Sequence, residues 1–277
     1  MDLVFGLAEL PGPGQTVLAS ALHAEPGGKG GNQAVAAARA GADVQLVAAL
    51  GTDATGSALR KHLQDNGVGL VGTVSLPVPS GTAAIMVGDN AENMIVVAPG
   101  ANGHLPLDSA HVRAVVADCD VLLLQLEIPP ATALAAARLA KNSGATVVLN
   151  ASPAGTDAGA LAELAAVTDV AIVNETEAAQ WHWTVPHLVI TRGADGAVHR
   201  TPTGDSHVPA PEVEAIDTTG AGDVFAGVLA AGWTADPGRA LLRAVTAGAL
   251  ATLVPGAGNC APHDEVIEDA LESGVGN

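Results

Sequence analysis

The feature that most constrains the fold of this chain is a repeated alternation of short apolar runs with alanine-rich stretches. Four runs have the length and branching of buried strands: Val121–Leu126, Thr146–Asn150, Val170–Val173 and Leu188–Thr191. Alanine-rich segments at Pro130–Asn142 and Gly159–Ala166 lie between them and predict helices. This alternation predicts an α/β fold in which helices cover both faces of a central, mainly parallel sheet.

The first third of the chain continues the pattern and then departs from it. Gln33–Ala40 and Thr55–Asn66 predict helices, the second ending at Gly67, and Val44–Leu50 predicts a strand. Residues 3–22 and about 82–97 contain strand-like pieces with no helix between them. We expect these two segments to form a small separate sheet, such as a flap over a site.

Composition limits the possible partners. Aromatic residues make up 2% of the 277 residues, with no Tyr, and 29 acidic against 11 basic residues give a net charge of −18. Such a surface repels nucleic acid and anionic lipid, and it lacks the aromatics that stack on bases. Cys119 and Cys260 lie far apart in sequence and suggest no disulfide framework. We therefore expect a cytoplasmic protein without a nucleic-acid or membrane partner.

The loop Asp-Thr-Thr-Gly-Ala-Gly-Asp at 217–223 precedes an apolar run that predicts a helix. The backbone amides of Gly220, Ala221 and Gly222 then lie at a helix N-terminus, where they lack intrahelical partners and the helix dipole adds positive potential. Small side chains let a phosphate approach these amides closely. Asp223 is either an ordinary N-cap or a base that takes a proton from an alcohol attacking that phosphate.

Other polar stretches lie where α/β proteins bind ligands, in loops and at the carboxyl ends of predicted strands. The loop Gly27-Gly28-Lys29-Gly30-Gly31-Asn32 does not have Walker A spacing and is either a flexible surface loop or a grip for a polyol. Asn174-Glu175-Thr176-Glu177 is either a helix cap or a carboxylate site for water-bound Mg²⁺. Glu127 and the turn Thr191–Gly196 follow two further strands.

Together these motifs resemble those of the ribokinase family of carbohydrate kinases, which also contains fructokinases and adenosine kinases. The resemblance covers nearly the whole chain and is carried by Gly-Gly-Lys-Gly-Gly-Asn-Gln-Ala-Val-Ala-Ala-Ala-Arg at 27–39, Asp-Thr-Thr-Gly-Ala-Gly-Asp-Val-Phe-Ala-Gly at 217–227 and Asn-x-x-Glu at 174–177. It implies a single ribokinase-like domain over residues 1–277. Residues 3–22 and 82–97 would form its β-lid, which often makes a homodimer contact in the family.

The resemblance implies ATP-dependent phosphorylation of the 5-hydroxyl of D-ribose. Asp223 would be the general base, and Gly220, Ala221 and Gly222 the anion hole for the γ-phosphoryl group. The residues that would hold the sugar are Asp2, Gly28, Lys29, Asn32, Glu127 and Asp223. The residues that would face ATP are Asn174, Thr191, Arg192, Gly193, Ala194, Asp195, Gly196 and Gly222.

Two cations are implied as well. Glu177 would arrange Mg²⁺ through water. The implied ligands of a K⁺ ion beside the anion hole are Asp217, Thr219, Ala251, Val254, Gly256 and Cys260. Because Cys260 stands where the family commonly offers a Ser hydroxyl, and a thiol is a poor ligand for a hard cation, we expect weak K⁺ activation.

The resemblance leaves two alternative functions open, and the sequence departs from the family pattern in two places. The chain could phosphorylate 2-deoxyribose, fructose or adenosine, or it could bind sugar or nucleotide without turnover. The family places a buried strand ending in a sugar-binding Asn before the position of Asp2, and a helix unit on the order of 20 residues between Asn174 and Leu188. Neither appears here, and we expect that the sequence omits these segments rather than that the protein lacks a central strand.

Overall fold

The computed structural model describes residues 1–88, 92–153 and 157–273, so residues 89–91 of the expected lid lie outside the described part. The strands, in chain order, are β1 (Asp2–Leu7), β2 (Ala21–Glu25), β3 (Ala49–Gly51), β4 (Val74–Leu76), β5 (Thr82–Gly88), β6 (Asn93–Ala98), β7 (Val121–Leu124), β8 (Thr146–Asn150), β9 (Val170–Asn174), β10 (His187–Thr191), β11 (Ala197–Thr201) and β12 (Gly204–Val208). The α-helices are α1 (Lys29–Arg39), α2 (Ala54–Asp65), α3 (Ala110–Ala117), α4 (Pro130–Asn142), α5 (Ala158–Ala165), α6 (Glu175–Ala178), α7 (Ala221–Gly232), α8 (Pro237–Ala251) and α9 (Asp264–Ser273).

The central sheet has the strand order β12–β11–β10–β9–β8–β7. Strands β7 to β10 are parallel, while β11 and β12 run antiparallel to their neighbours. Alternate residues point to opposite faces: Val148 packs with α1, α7 and α8, whereas Val147 and Leu149 pack with α3, α4 and α5. Burial on both faces explains why these strands are continuous apolar runs in the sequence, and the predicted α/β class is confirmed.

The predicted strand Val44–Leu50 forms only in part. Its last residues contribute to β3, which pairs in parallel with β4 in a separate two-stranded sheet, and Gln45 makes a single bridge to Gly69. The central sheet ends at β7, and Val121–Leu123 are only half-buried there. A strand needs a hydrogen-bonded ladder along its length, and the first half of this segment has only the one bridge.

Helix α1 begins four residues before the predicted start, inside the glycine loop. Gly28 adopts a φ of 96° as the residue before the helix, and its carbonyl accepts a hydrogen bond from the Asn32 amide at 3.0 Å. Lys29 and Asn32 therefore belong to the first turn of a helix and not to a flexible loop. The helix gives both side chains fixed directions.

A short connection replaces the helix that the family resemblance places between β9 and β10. After the single turn of α6, Trp181 and Trp183 make an edge-to-face contact with ring centroids 5.2 Å apart. Both indoles pack against a small cluster that contains Val185 and Ala171. Two large aromatic rings thus cover this part of the sheet in a chain that has few aromatics.

A second sheet, with strand order β2–β1–β5–β6, combines residues from the segments 2–25 and 82–98. Strands β1 and β5 pair in parallel, and the outer pairs are antiparallel. Every residue of β6 is exposed, including Ile95, Val96 and Val97. Within the described ranges, no helix has both the length and the hydropathy required to cross a bilayer.

A histidine pair lies on the α7 face of the central sheet and predicts a pH-dependent stability. His187 Nδ1 and His199 Nε2 are 3.0 Å apart, and both rings contact the buried Trp233 edge-on. Burial and the neighbouring His187 lower the pKa of His199, against an opposing effect of Asp205. The unfolded chain therefore binds more protons, and the free energy of unfolding should fall as the pH drops from the ordinary histidine range through the lowered pKa.

Chemical denaturation at a series of pH values between about 5 and 8 tests this expectation. The His199→Gln variant should show a flatter dependence of unfolding free energy on pH than the wild type. His23→Gln, which changes an exposed histidine on β2, is the matched control. Equal slopes for the wild type and His199→Gln would contradict the expectation.

Candidate active site

The entrance of helix α7 is built around a glycine that no other residue can replace without strain. Gly220 precedes the helix with a left-handed φ of 82°. A Cβ atom at this position would lie 2.7 Å from Cα of Ala257 and 3.0 Å from Sγ of Cys260. The loop that contains Ala257 and Cys260 therefore packs directly against the backbone at the helix entrance.

The first turn of α7 provides the amides that the sequence predicts as an anion hole. The Ala221 amide makes a long hydrogen bond of 3.3 Å to the Thr218 carbonyl. The next amides in the turn lack intrahelical partners by their position. Gly220 and Gly222 both line a cleft beside Asp223. Backbone donors and the positive end of a helix dipole thus face one cavity.

Asp223 occupies the third position of α7 and is 7% exposed. Its Oδ2 accepts a hydrogen bond from the side-chain amide of Asn32, and its Oδ1 accepts one from the side-chain amide of Gln33, each at 3.0 Å. Burial raises the pKa of Asp223, and the Lys29 charge and the two amides only partly offset this effect. A buried carboxylate with a raised pKa and fixed orientation is suited to accept a proton.

Two more carboxylates surround Lys29 and Asp223. Glu127 Oε2 accepts a hydrogen bond from the Lys29 backbone amide at 3.0 Å. Burial raises the pKa of Glu127, and the charges of Asp223 and Asp2 raise it further, whereas Lys29 acts in the opposite direction. Burial likewise raises the pKa of Asp2. The N-terminal amine acts in the opposite direction, and the charges of Asp223 and Glu25 add to the effect of burial. Together these acceptors around one ammonium match the hydroxyl groups of a polyol.

The cleft extends from this acidic cluster to the carboxyl ends of the central strands. The residues that line it are Lys29, Asn150, Ser152, Ile172, Val173, Asn174, Glu177, Thr191, Gly220, Gly222 and Asp223. The sequence reasoning missed Asn150 and Ser152. Asn150 is the last residue of the predicted strand Thr146–Asn150 and is 6% exposed, so the rule that identified Asn174 could also have identified it.

Asn174 and Glu177 form a reciprocal capping box at the start of α6. The Asn174 side chain accepts from the Glu177 amide at 2.8 Å, and Glu177 Oε2 accepts from the Asn174 amide at 2.9 Å. The helix-cap interpretation is therefore correct for this pair, and both residues also line the cleft. Within the described residues, no group of three or more His, Cys, Asp or Glu side chains forms a metal cluster.

The turn after β10 is only partly at the cleft. Thr191 lines it, whereas residues 192–196 are not among the lining residues. Arg192 lies 3.6 Å from Glu175, and the Arg192 amide donates to the Gly196 carbonyl at 2.8 Å. Gly193–Asp195 forms a short 3₁₀ turn. Much of this turn is thus held by contacts with itself and with α6.

In the loop behind Gly220, two of the predicted K⁺ ligands, Thr219 and Gly256, contact a third, Asp217. The Asp217 carboxylate accepts from the Thr219 amide at 2.8 Å and from the Gly256 amide at 2.9 Å. Burial opposes the charged form of Asp217, but these hydrogen bonds prevail and lower its pKa. A charged carboxylate is chemically suited to a hard cation.

Cys260 does not fit this cation site. Its sulfur lies 3.4 Å from the Ala257 carbonyl oxygen and 3.8 Å from that of Thr219, as expected for a thiol that donates to them. Burial raises the pKa of Cys260 to about 11, so the thiol is neutral near pH 7. The thiol is therefore directed at the backbone of Thr219, a predicted K⁺ ligand, and offers no hard donor of its own.

Comparisons with known proteins agree with this geometry. A profile of the pfkB family carbohydrate kinases matches residues 1–184 and 182–264. The chain is 36% identical over 248 residues to a ribokinase of Haemophilus influenzae, covering 82% of this chain and 80% of the relative. It is 32% identical over 255 residues to a deoxyribokinase of Salmonella typhi, covering 83% and 81%.

Solved structures show the same fold. The structure of Arabidopsis thaliana ribokinase complexed with ribose and ATP superposes with a TM-score of 0.89 at 27% identity, covering 98% of this chain and 95% of that chain. The profile match spans most of the sequence, including the glycine loop of α1 and the entrance of α7. The chain is therefore a member of the pfkB family of carbohydrate kinases.

Proposed function

We propose that the protein transfers the γ-phosphoryl group of ATP to the 5-hydroxyl of D-ribose. The observation that carries the proposal is the buried Asp223 carboxylate, which two amides hold at the N-terminus of α7 next to Lys29. Relatives named ribokinase at 33–36% identity support ribose as the sugar.

The chemistry follows from the placement of Asp223 beside the free amides. The sugar hydroxyl oxygen attacks the γ-phosphorus while its proton passes to the Asp223 carboxylate, and ADP leaves. Gly222 and the helix dipole face the negative charge on the transferring group. Since the protein forms no covalent intermediate in this scheme, positioning and charge stabilisation supply the rate.

We assign the other end of the cleft to Mg²⁺ and ATP. Mg²⁺ bound with ATP would neutralise charge on the phosphates. We assign to Glu177 the role of arranging the water ligands of Mg²⁺. The backbone amide of Asn174 fixes one oxygen of Glu177, and the Glu177 side chain still lines the cleft. Asn174, Thr191 and Gly222 are the predicted ATP contacts that lie on the cleft wall.

A panel of acceptors tests the substrate. A coupled assay with ribose, 2-deoxyribose, fructose and adenosine should show the highest kcat/KM for ribose. The second candidate is 2-deoxyribose, which the deoxyribokinase relative favours. Turnover with adenosine alone, or binding without turnover of any acceptor, would overturn the proposal.

We expect Cys260→Ser to strengthen K⁺ activation. A serine hydroxyl can turn an oxygen lone pair toward a cation, which the neutral thiol does not offer. The K⁺ concentration for half-maximal activation should fall several-fold relative to the wild type, by roughly the effect of one added oxygen ligand. Activity titrated with K⁺ and with Na⁺ measures this.

Cys119→Ser is the matched control, because Cys119 is the other free cysteine and donates to the Val116 carbonyl away from the cleft. It should leave the K⁺ titration unchanged. A Cys260→Ser variant with the wild-type K⁺ response would remove Cys260 from the cation site.

We further infer a homodimer through the four-stranded sheet. Its outer strand β6 presents Met94, Ile95, Val96 and Val97, each between 44% and 58% exposed, and Leu22 of β2 is 59% exposed. Exposed apolar side chains on the edge strands support association with a second copy. Light scattering should give twice the 27.2 kDa mass of one chain.

A further inference from the structure

Gln33 is a buried polar residue that directly contacts the proposed base. It follows Asn32 in α1, is 2% exposed and does not line the cleft. Its amide nitrogen donates to Oδ1 of Asp223 at 3.0 Å. The sugar-contacting role implied for Asn32 does not account for a second side-chain amide on the same carboxylate.

Close packing of α1 and α7 fixes this contact. Gly227 lies one turn after Asp223, and a Cβ atom there would be 2.4 Å from the Gln33 carbonyl oxygen and 3.0 Å from the Ala37 amide nitrogen. The two helix backbones therefore touch at Gly227. The flanking residues Val35 and Ala36 are fully buried in the core, so α1 has little freedom to shift relative to α7.

We infer that Gln33 is a positioning residue for Asp223: it holds Oδ1 and leaves Oδ2, on the Asn32 side, to receive the proton of the sugar hydroxyl. This inference rests on the proposed kinase function. In the reaction, the hydroxyl O–H bond breaks, its proton moves to Oδ2, and the oxygen forms the new bond to phosphorus as ADP departs. Gln33 gains and loses no proton itself.

The effect of Gln33 on Asp223 can be separated from the effects of the charged groups nearby. The charged or titratable groups near it are Lys29 of α1, Asp2 of β1, Glu127 after β7 and Cys260 of the loop behind Gly220. The Gln33 amide is neutral, so replacing it by an apolar side chain alters none of these charges. Any change in the titration of Asp223 then reports the lost hydrogen bond, which favours the carboxylate form.

The decisive experiment is the pH profile of Gln33→Met. Met is similar in length to Gln but cannot donate to Oδ1. We expect kcat to fall about 10- to 100-fold, because the carboxylate is no longer held in its reactive orientation. KM for ribose should change much less. The acidic limb of the kcat/KM profile should move to higher pH, and Gln33→Glu should move it further because a second carboxylate faces the base.

Thr168→Val controls for a loss of stability alone. Thr168 is 3% exposed, donates to the Leu164 carbonyl at 2.8 Å and lies after α5, outside the cleft. This variant should lose stability without shifting the acidic limb. If Gln33→Met keeps the wild-type limb and kcat at unchanged folding, the positioning role is wrong. If Asp223→Asn also retains turnover, the base assignment and the proposed function fail with it.

Discussion

Replacing Asp223 with Asn should lower kcat by about 10²–10⁴-fold while the protein still folds and still binds ATP. Asn has the shape of Asp but cannot accept the sugar proton. The Asn32 and Gln33 amides both donate to the carboxylate, and an Asn side chain can accept only on its single oxygen. One of these two buried donors therefore loses its hydrogen-bond partner. The variant also no longer buries a charged carboxylate, which offsets this loss, so we expect the protein still to fold.

Single-turnover kinetics and calorimetric titration with ATP would measure the two halves of this prediction. Asp118→Asn, a change at an exposed carboxylate after α3, is the matched control and should behave as the wild type. Turnover of Asp223→Asn within about tenfold of the wild type would exclude Asp223 as the base, since a general base contributes more than that. Loss of ATP binding would point instead to a structural role at the α7 entrance.

The Gly220→Ala variant should lose both stability and activity. A Cβ atom would meet Ala257 and Cys260 at 2.7–3.0 Å, and an alanine would be held at a φ of 82°. The strain should cost about 1–3 kcal/mol of unfolding free energy. The loop behind the helix entrance must move, so we also expect a roughly 10²-fold loss in kcat from misplaced amides.

Alanine variants of two other glycines distinguish the effect of backbone strain from the effect of an added methyl group in the cleft. Gly41 has a φ of 96° with open space around its Cβ position, so Gly41→Ala should lose stability without loss of kcat. Gly222 has open space and lines the cleft, so Gly222→Ala should fold normally and raise KM for ATP. Thermal unfolding and steady-state kinetics on the three variants test the assignment, and wild-type kcat in Gly220→Ala would contradict it.

The sequence predicted those parts of the fold that depend on local pattern. Pro130–Asn142 and Thr146–Asn150 have the predicted bounds because each is a regular element with a clear apolar period and burial to match. The meeting of Asp223 with Lys29 and Glu127 was implied by the resemblance to the ribokinase family, whereas the rule that ligand groups gather at strand ends indicated only the position of Glu127.

Features that depend on contacts between distant segments were not predictable in the same way. Val44–Leu50 has the composition of a strand, but its ladder partner decides how much of it forms. Nothing in the run Asn32-Gln33 shows that both amides bind one carboxylate some 190 positions later, since Gln33 is hidden in a helix of small residues. The use of two indoles to cover the β9–β10 connection also depends on packing.

The positions of the three tryptophans determine what intrinsic fluorescence can report. Trp181 and Trp183 lie in the β9–β10 connection and Trp233 follows the last turn of α7, and none lines the cleft. A molecule that contacts only the lining residues of the cleft would therefore not touch an indole directly. Because α7 carries Asp223 in its first turn and is followed directly by Trp233, a change in the emission of Trp233 alone would record a displacement transmitted along that helix.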